Sequence, residues 1–281
     1  MEKIEHLSYG KINLALDVLY KRDDGYHQIN TIMQEIDLAD KLTFRPLDKG
    51  IIIESNIKSL PQGQDNLVYK AWDSLRKISA IDKGIHIRID KKIPIAAGLA
   101  GGSSNCATTL KVLNKLWDLN LSQQDLMDIG VKLGADIPFS IMGGTAKATG
   151  IGEKLTRLSP FKDKYILIGN PGIEISSQYA YSKLELKKER INMDSIIYSM
   201  EENDLKCLGQ KIGNVMEESI IGENPIIGSI KEKMIKNGAL GALMSGSGPT
   251  VFGLFDDYDK ILQAKDQLKK HIDIVHICKT I

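Results

Sequence analysis

Residues 91–105 constrain this chain more than any other stretch. They read Lys91-Lys92-Ile93-Pro94-Ile95-Ala96-Ala97-Gly98-Leu99-Ala100-Gly101-Gly102-Ser103-Ser104-Asn105, a run of small residues between two periodic segments. Before it, Ile85-His86-Ile87-Arg88-Ile89 alternates apolar and polar, the period of a half-buried strand. After it, Cys106, Leu110, Leu113 and Trp117 recur at helical steps. Ser103 or Ser104 is placed to cap that helix, since a short hydroxyl accepts from first-turn amides. A helix start fronted by little side-chain bulk is a seat for an anion. The same composition also suits a turn that only packs strand tightly against helix. Neither standard phosphate motif fits. A Walker loop needs Gly-Lys-Ser/Thr at its end. The dinucleotide fingerprint needs another glycine spacing than Gly98, Gly101 and Gly102 supply.

Composition narrows the function classes. A chain of 281 residues, 42% hydrophobic and 26% charged, is that of a soluble globular protein with one large or two ordinary domains. Lys and Arg number 37 against 36 Asp and Glu, a net charge of +1. That balance argues against extended nucleic-acid or anionic-membrane binding, which draws on a basic excess. Three scattered cysteines, Cys106, Cys207 and Cys278, form neither a disulfide framework nor a zinc motif, and point to a reducing compartment. Cys106 falls on its helix's apolar stripe and reads as packing rather than as a nucleophile. The N-terminal stretch from Met1 to His6 lacks a signal-peptide core, and no apolar run approaches the roughly 20 residues that span a bilayer. The expectation is a cytoplasmic protein.

Along the chain, residues 4–19 read as one long strand or two, with Lys11, Asn13, Ala15 and Asp17 on one face and Ile12, Leu14, Leu16 and Val18 on the other. Taken alone, that pattern predicts Lys11 on a solvated sheet face. Arg22-Asp23-Asp24-Gly25 is a turn, followed by Tyr26 and His27. Strands are expected at 28–38, 41–46 and 50–54. Asp65 or Asn66 opens a helix, and Ser122 caps another that closes near Gly134. Asp136, beside Pro138, is either a cap or a functional base. A strand of small residues follows at 143–150, and a composition shift falls near Pro160. Beyond it we expect a strand at 165–169, helices at 203–219 and 224–237, and a strand–loop–strand unit around Ser245-Gly246-Ser247-Gly248-Pro249. A helix at 258–270 and a strand at 272–277 complete an α+β half.

Lys11 with Asn13, the Pro94–Asn105 loop, Asp136 and the Ser245–Pro249 loop, in this order, resemble the GHMP small-molecule kinases along essentially the whole chain. Within that family, Gly10-Lys11-Ile12-Asn13-Leu14, Asp24-Gly25-Tyr26-His27, Asp65-Asn66-Leu67-Val68, Gly134-Ala135-Asp136-Ile137-Pro138-Phe139 and Met244-Ser245-Gly246-Ser247-Gly248 are similar to the branch whose acceptor is a cytidine-diphosphate sugar alcohol. Gly10 replaces the usual alanine, and Ala100 stands where glycine is frequent; both keep the site small.

The resemblance implies a two-domain α+β fold. Residues 1–159 would form a ribosomal-protein-like N-terminal domain and 160–281 a ferredoxin-like C-terminal domain. It implies ATP-dependent phosphorylation of a 2-hydroxyl in the non-mevalonate route to isoprenoid precursors, by direct in-line transfer. The alternative is a homoserine- or mevalonate-type alcohol kinase. By the same resemblance Asp136 would accept the hydroxyl proton, with Lys11 beside it neutralising charge. Pro94, Ile95, Ala96, Ala97, Gly98, Leu99, Ala100, Gly101, Gly102, Ser103 and Ser104 would wrap the ATP phosphates, with Asn66 and Lys91 on the adenine or ribose side. Asn13 would bind the acceptor. Tyr26 would stack on its pyrimidine, His27 would bond the base edge, and Tyr181 would close the sandwich. Mg²⁺ would accompany ATP, with no protein ligand assigned to it. The implied partners are small molecules only, taken up by a monomer or weak homodimer.

Overall fold

Two strands of unusual length start the chain: β1 (Ile4–Lys21) and β2 (His27–Leu47). The structure is a computed structural model that describes residues 3–81, 83–186 and 189–281. Met1 and Glu2 of the N-terminal stretch lie outside the described residues. β1 is buried on both faces from Gly10 to Val18. This corrects the expectation of a solvated face: Lys11 is only 5% exposed and Asn13 2%. β2 is one strand where two were expected. The break anticipated at Ala39-Asp40 does not occur, because the fully buried Asp40 carboxylate finds partners and needs no loop to reach water.

The chain divides into two compact units, and β1 and β2 contribute residues to each. The first comprises Met1–Gly10, Ala39–Ile93 and Ala100–Gly143. Here β4 (Gly84–Asp90) pairs antiparallel with the second half of β2, from Lys41 opposite Asp90 to Leu47 opposite Gly84. On its other side β4 pairs parallel with β3 (Ile51–Ser55). The unit's helices are α1 (Leu67–Ser79), α2 (Gly101–Leu116), α3 (Gln123–Val131) and α4 (Ile137–Met142). Ile85, Ile87, Ile89, Leu42 and Phe44 from the sheet meet Leu75, Leu110 and Leu113 in one buried core. Each such side chain contributes about 1.5–3 kcal/mol on burial. Asn66 starts α1 and Ser122 starts α3 with a full capping box, as their sequences indicate.

The second unit comprises Lys11–Leu38, Pro94–Leu99 and Gly144–Ile281. β5 (Thr145–Gly150) pairs with the first half of β2, and β6 (Lys154–Arg157) with β5. A four-stranded antiparallel sheet has β7 (Tyr165–Asn170) and β10 (Val251–Phe255) at its centre, flanked by β11 (Ile274–Lys279) and β9 (Gly241–Met244). α9 (Pro225–Lys236) and α10 (Tyr258–Leu268) pack on it, the α+β layering expected of this half.

The helix predicted at 203–219 is not continuous. It resolves into α7 (Leu205–Lys211), a two-residue strand β8 (Gly213–Asn214), and α8 (Glu217–Glu223). Tertiary bonds win over helical periodicity here. β8 pairs parallel with β1 at Ala15 and Leu16, and Asn214 Nδ2 donates to the carbonyls of Met244 and Gly246, each at 2.8 Å. α5 (Ser177–Ser182) starts at a Ser176 cap, and α6 (Met193–Glu201), which the sequence reading does not anticipate, starts at an Asn192 cap.

Candidate active site

The loop between β4 and α2 coils through three left-handed residues: Ala96 (φ +48°), Gly98 (φ +73°) and Ala100 (φ +56°). Left-handed alanine costs roughly 1–2 kcal/mol, so this conformation is held by its surroundings. Gly98 lies against the Ser245 carbonyl so closely that a Cβ there would collide with it. Ser245 Oγ donates to Gly98 O at 3.0 Å and accepts from Asn13 N at 3.3 Å. The C-terminal glycine-serine loop thus holds the middle of the small-residue loop.

α2 begins earlier than expected. Ala100 is its N-cap and makes no side-chain capping bond, so Ser103 and Ser104 sit inside the first turn and cap nothing. The correction has chemical content. A capping side chain would occupy the mouth of the helix, whereas a bare first turn leaves amides facing outward with the positive end of the helix dipole behind them. That is the environment a phosphate needs.

Behind this helix start, in the first unit, lies a buried polar cluster. Asp40 Oδ1 accepts from the Lys92 and Ile93 amides at 2.8 and 2.9 Å. Its other oxygen pairs with the Lys91 ammonium and accepts from Asn105 Nδ2 at 2.8 Å. Asn105 Nδ2 also donates to Ser8 Oγ at 3.0 Å, and Ser8 bonds Ser104 at 2.7 Å. One carboxylate therefore ties the entrance of the loop to the helix that leaves it. Sequence reasoning passes over Asp40 and Ser8. The available signal was an acidic residue within an otherwise strand-like run. Lys91 is placed in this cluster, 4% exposed at its side chain. Asn66 caps α1 through Val68 N (2.9 Å) and donates to Pro61 O (2.6 Å).

Asp136 also belongs to the first unit. It takes the N-cap position of α4 in helical conformation, and its side chain makes no capping bond. Its turn lies near the start of α2: a Cβ on Gly134 would stand 4.0 Å from Ser103 Oγ.

Lys11, Asn13, Tyr26, His27 and Tyr181 fall in the second unit. Lys11 Nζ donates to Asn13 Oδ1 at 2.6 Å. The 22–26 turn is closed by Arg22 N to Tyr26 O at 2.8 Å and by an Arg22–Asp24 ion pair at 2.7 Å. It leaves the Tyr26 ring 60% exposed. His27 stacks on Tyr181, so these two are brought together. Burial, and secondarily the Lys21 charge, hold His27 below its usual pKa. Burial pushes the Cys106 thiol up and Cys278 to about 12, in keeping with packing roles. Among the described residues, no group of three or more His, Cys, Asp or Glu side chains is arranged to hold a metal ion.

Comparison with known proteins decides the family. Residues 66–144 match the GHMP kinases N terminal domain and 196–274 the GHMP kinases C terminal domain, together more than half of the chain. The 4-diphosphocytidyl-2-C-methyl-D-erythritol kinase of Alkaliphilus metalliredigens is 46% identical over 95% of this chain and 93% of its own length. That of Clostridioides difficile is 45% identical over 99% of this chain and 95% of its own. The chain belongs to the 4-diphosphocytidyl-2-C-methyl-D-erythritol kinase family of GHMP kinases.

A crystal structure of a 4-(cytidine 5′-diphospho)-2C-methyl-D-erythritol kinase superposes with a TM-score of 0.86 at 27% identity, covering 99% of each chain. A homoserine kinase from Cytophaga hutchinsonii shares the fold, with a TM-score of 0.79 at 20% identity over 100% of this chain and 95% of that one. This kinase therefore uses ATP as co-substrate. The N-terminal match contains Asn66, the loop and Asp136, and the C-terminal match contains the Ser245–Pro249 loop. No described helix is long and apolar enough to cross a membrane.

Proposed function

We propose that this kinase transfers the γ-phosphoryl group of ATP to the 2-hydroxyl of 4-(cytidine 5′-diphospho)-2-C-methyl-D-erythritol, a step in isoprenoid precursor synthesis. The observation that carries the choice of acceptor is the stacked His27–Tyr181 pair, with the exposed Tyr26 next to His27 in the sequence. Relatives of 42–46% identity that bear this acceptor in their names support it. A planar base needs aromatic faces and an edge-bonding group, and a small aliphatic alcohol needs neither. Tyr26 stacks on the cytosine and His27 bonds its edge. Tyr181 is the aromatic residue of the second domain that completes the pocket, taking the domain division at 159/160.

Asn13 bonds the acceptor. Asp136 orients the hydroxyl and accepts its proton as the oxygen attacks phosphorus. Lys11 neutralises charge on the group in transfer. Loose phosphoryl transition states ask for positioning and charge compensation more than for a strong base, and no phosphoenzyme is required. Pro94 to Ser104 surround the triphosphate, with Asn66 and Lys91 toward the nucleoside. Mg²⁺ offsets phosphate charge when bound. It characteristically keeps water and phosphate oxygens as ligands. The enzyme acts in the cytoplasm as a monomer or weak homodimer.

The test is direct. Purified protein with Mg-ATP and the cytidyl compound should yield ADP and a 2-phosphorylated product. Turnover of homoserine or mevalonate in preference to it would overturn the assignment.

A further inference from the structure

Thr31 has no role in the reading above, yet it stands behind Lys11 through one intermediary. Its side chain lies on β2 and is fully buried. Thr31 Oγ1 is 2.5 Å from the Ala15 carbonyl oxygen. A carbonyl can only accept, so the single hydroxyl proton is committed there. Toward Asn13, 2.8 Å away, Thr31 can then only accept, and the atom facing it must be the Nδ2 amide donor. The Asn13 carboxamide is thereby fixed with Oδ1 on the opposite side, where the Lys11 ammonium, which has donors only, meets it at 2.6 Å. Both ends of the chain dictate the same orientation. Asn13 is 2% exposed and Lys11 5%, so solvent does not compete strongly for these bonds.

We infer that Thr31 is a positioning residue for phosphoryl transfer: its hydroxyl sets the orientation of the Asn13 carboxamide, whose oxygen then holds the Lys11 ammonium. With the hydroxyl removed, Asn13 Nδ2 loses its partner and the carboxamide gains a second orientation. In that orientation it presents an NH₂ group to an ammonium, which repels it. The Lys11 head group then loses one of the bonds that position it, and small misplacements of a charge-neutralising group cost rate. This rests on the reading that Lys11 acts in the transfer.

The experiment compares Thr31→Val, Thr31→Ser and Lys11→Met in steady-state kinetics with both substrates varied. Valine keeps the branched shape and strand preference while deleting the hydroxyl. The expected result is a kcat roughly 10- to 100-fold lower in Thr31→Val, with the KM for ATP within about twofold of the parent, and recovery in Thr31→Ser. Thr31→Ala gives the same readout should valine not fold. Wild-type kcat in a folded hydroxyl-free variant overturns the inference, as does a loss that serine fails to restore or one carried only in KM. Wild-type turnover by Lys11→Met instead overturns the role of Lys11 itself, so the two failures are separable.

Discussion

The imidazole of His27 lies flat on the ring of Tyr181, with centroids 4.7 Å apart and planes within 16° of parallel. The two residues are 154 positions apart in sequence, on β2 and α5, and both belong to the second unit. Deleting the Tyr181 ring should weaken the cytidyl substrate by about 1–3 kcal/mol, the worth of one stacked base. In Tyr181→Ala, acceptor KM should therefore rise between several-fold and about a hundredfold while ATP KM stays put. Titration calorimetry with each substrate checks this, and an equal loss for ATP would show the ring serving something else.

The same pair predicts a pH dependence. Burial disfavours the imidazolium form of His27, and the Lys21 charge opposes it further, so the ring titrates below its ordinary 6.5. Acceptor binding that uses neutral His27 should then be level from pH 8 down past 6.5 and weaken only at lower pH. Measured acceptor KM across pH 5–8 tests the sign; weakening that begins above 6.5 would contradict it.

Much of this was legible in the chain. The small-residue loop, the capped helices α1 and α3 and the β9–β10 unit follow from local chemistry, and distant motifs in fixed order identified the family. What periodicity could not supply were the long-range partners. Lys11 looked solvated because alternation cannot distinguish water from a second buried layer. The 203–219 helix was interrupted because Asn214 bonds carbonyls thirty residues away. Ser104 looked like a cap because a hydroxyl before a helical stripe usually is one; here its bond goes to Ser8 on β1.

If Lys11 and Asp136 act as proposed, Lys11→Met and Asp136→Ala should each lower kcat by about 10²–10⁴-fold, the usual range for a positioned proton-transfer or charge-compensating group. Circular dichroism of Asp136→Ala should show a folded protein, so that the loss reads as one of rate. A variant of either residue that turns over normally removes it from the mechanism.

Gly98 makes a sharper demand. Its φ of +73° disfavours a Cβ, and its contact with the Ser245 carbonyl excludes one. Gly98→Ala should cost about 1–3 kcal/mol in stability and raise ATP KM more than acceptor KM. Gly63→Ala is the matched control, since that position is exposed with open space around it. Thermal midpoints of the two variants should separate clearly; coincident midpoints would mean the loop yields freely.

Cysteine reactivity should follow burial. Cys106 and Cys278 are buried with raised thiol pKa values, whereas bonds from Ser199 and Lys211 hold the Cys207 thiol below its usual value. Brief alkylation of the native protein, read by peptide mass, should label Cys207 alone.

The Asp40–Lys91 pair bears on stability in a way that depends on which partner is lost. Both side chains are out of water, at 0% and 4% exposure. Asp40→Ala leaves a buried ammonium without its carboxylate and also removes the acceptor of two loop amides, so unfolding should be easier by about 3–5 kcal/mol. That is a large part of a typical domain's 5–15 kcal/mol. Replacing both partners by apolar residues of similar size, Asp40→Leu with Lys91→Met, removes the stranded charge and should recover a good part of the loss. The amides of Lys92 and Ile93 remain unpaired, so recovery should stop short of the parent. Urea unfolding of the single and double variants gives the comparison. If the double variant were less stable than Asp40→Ala alone, the stranded Lys91 charge would not be what destabilises the single variant.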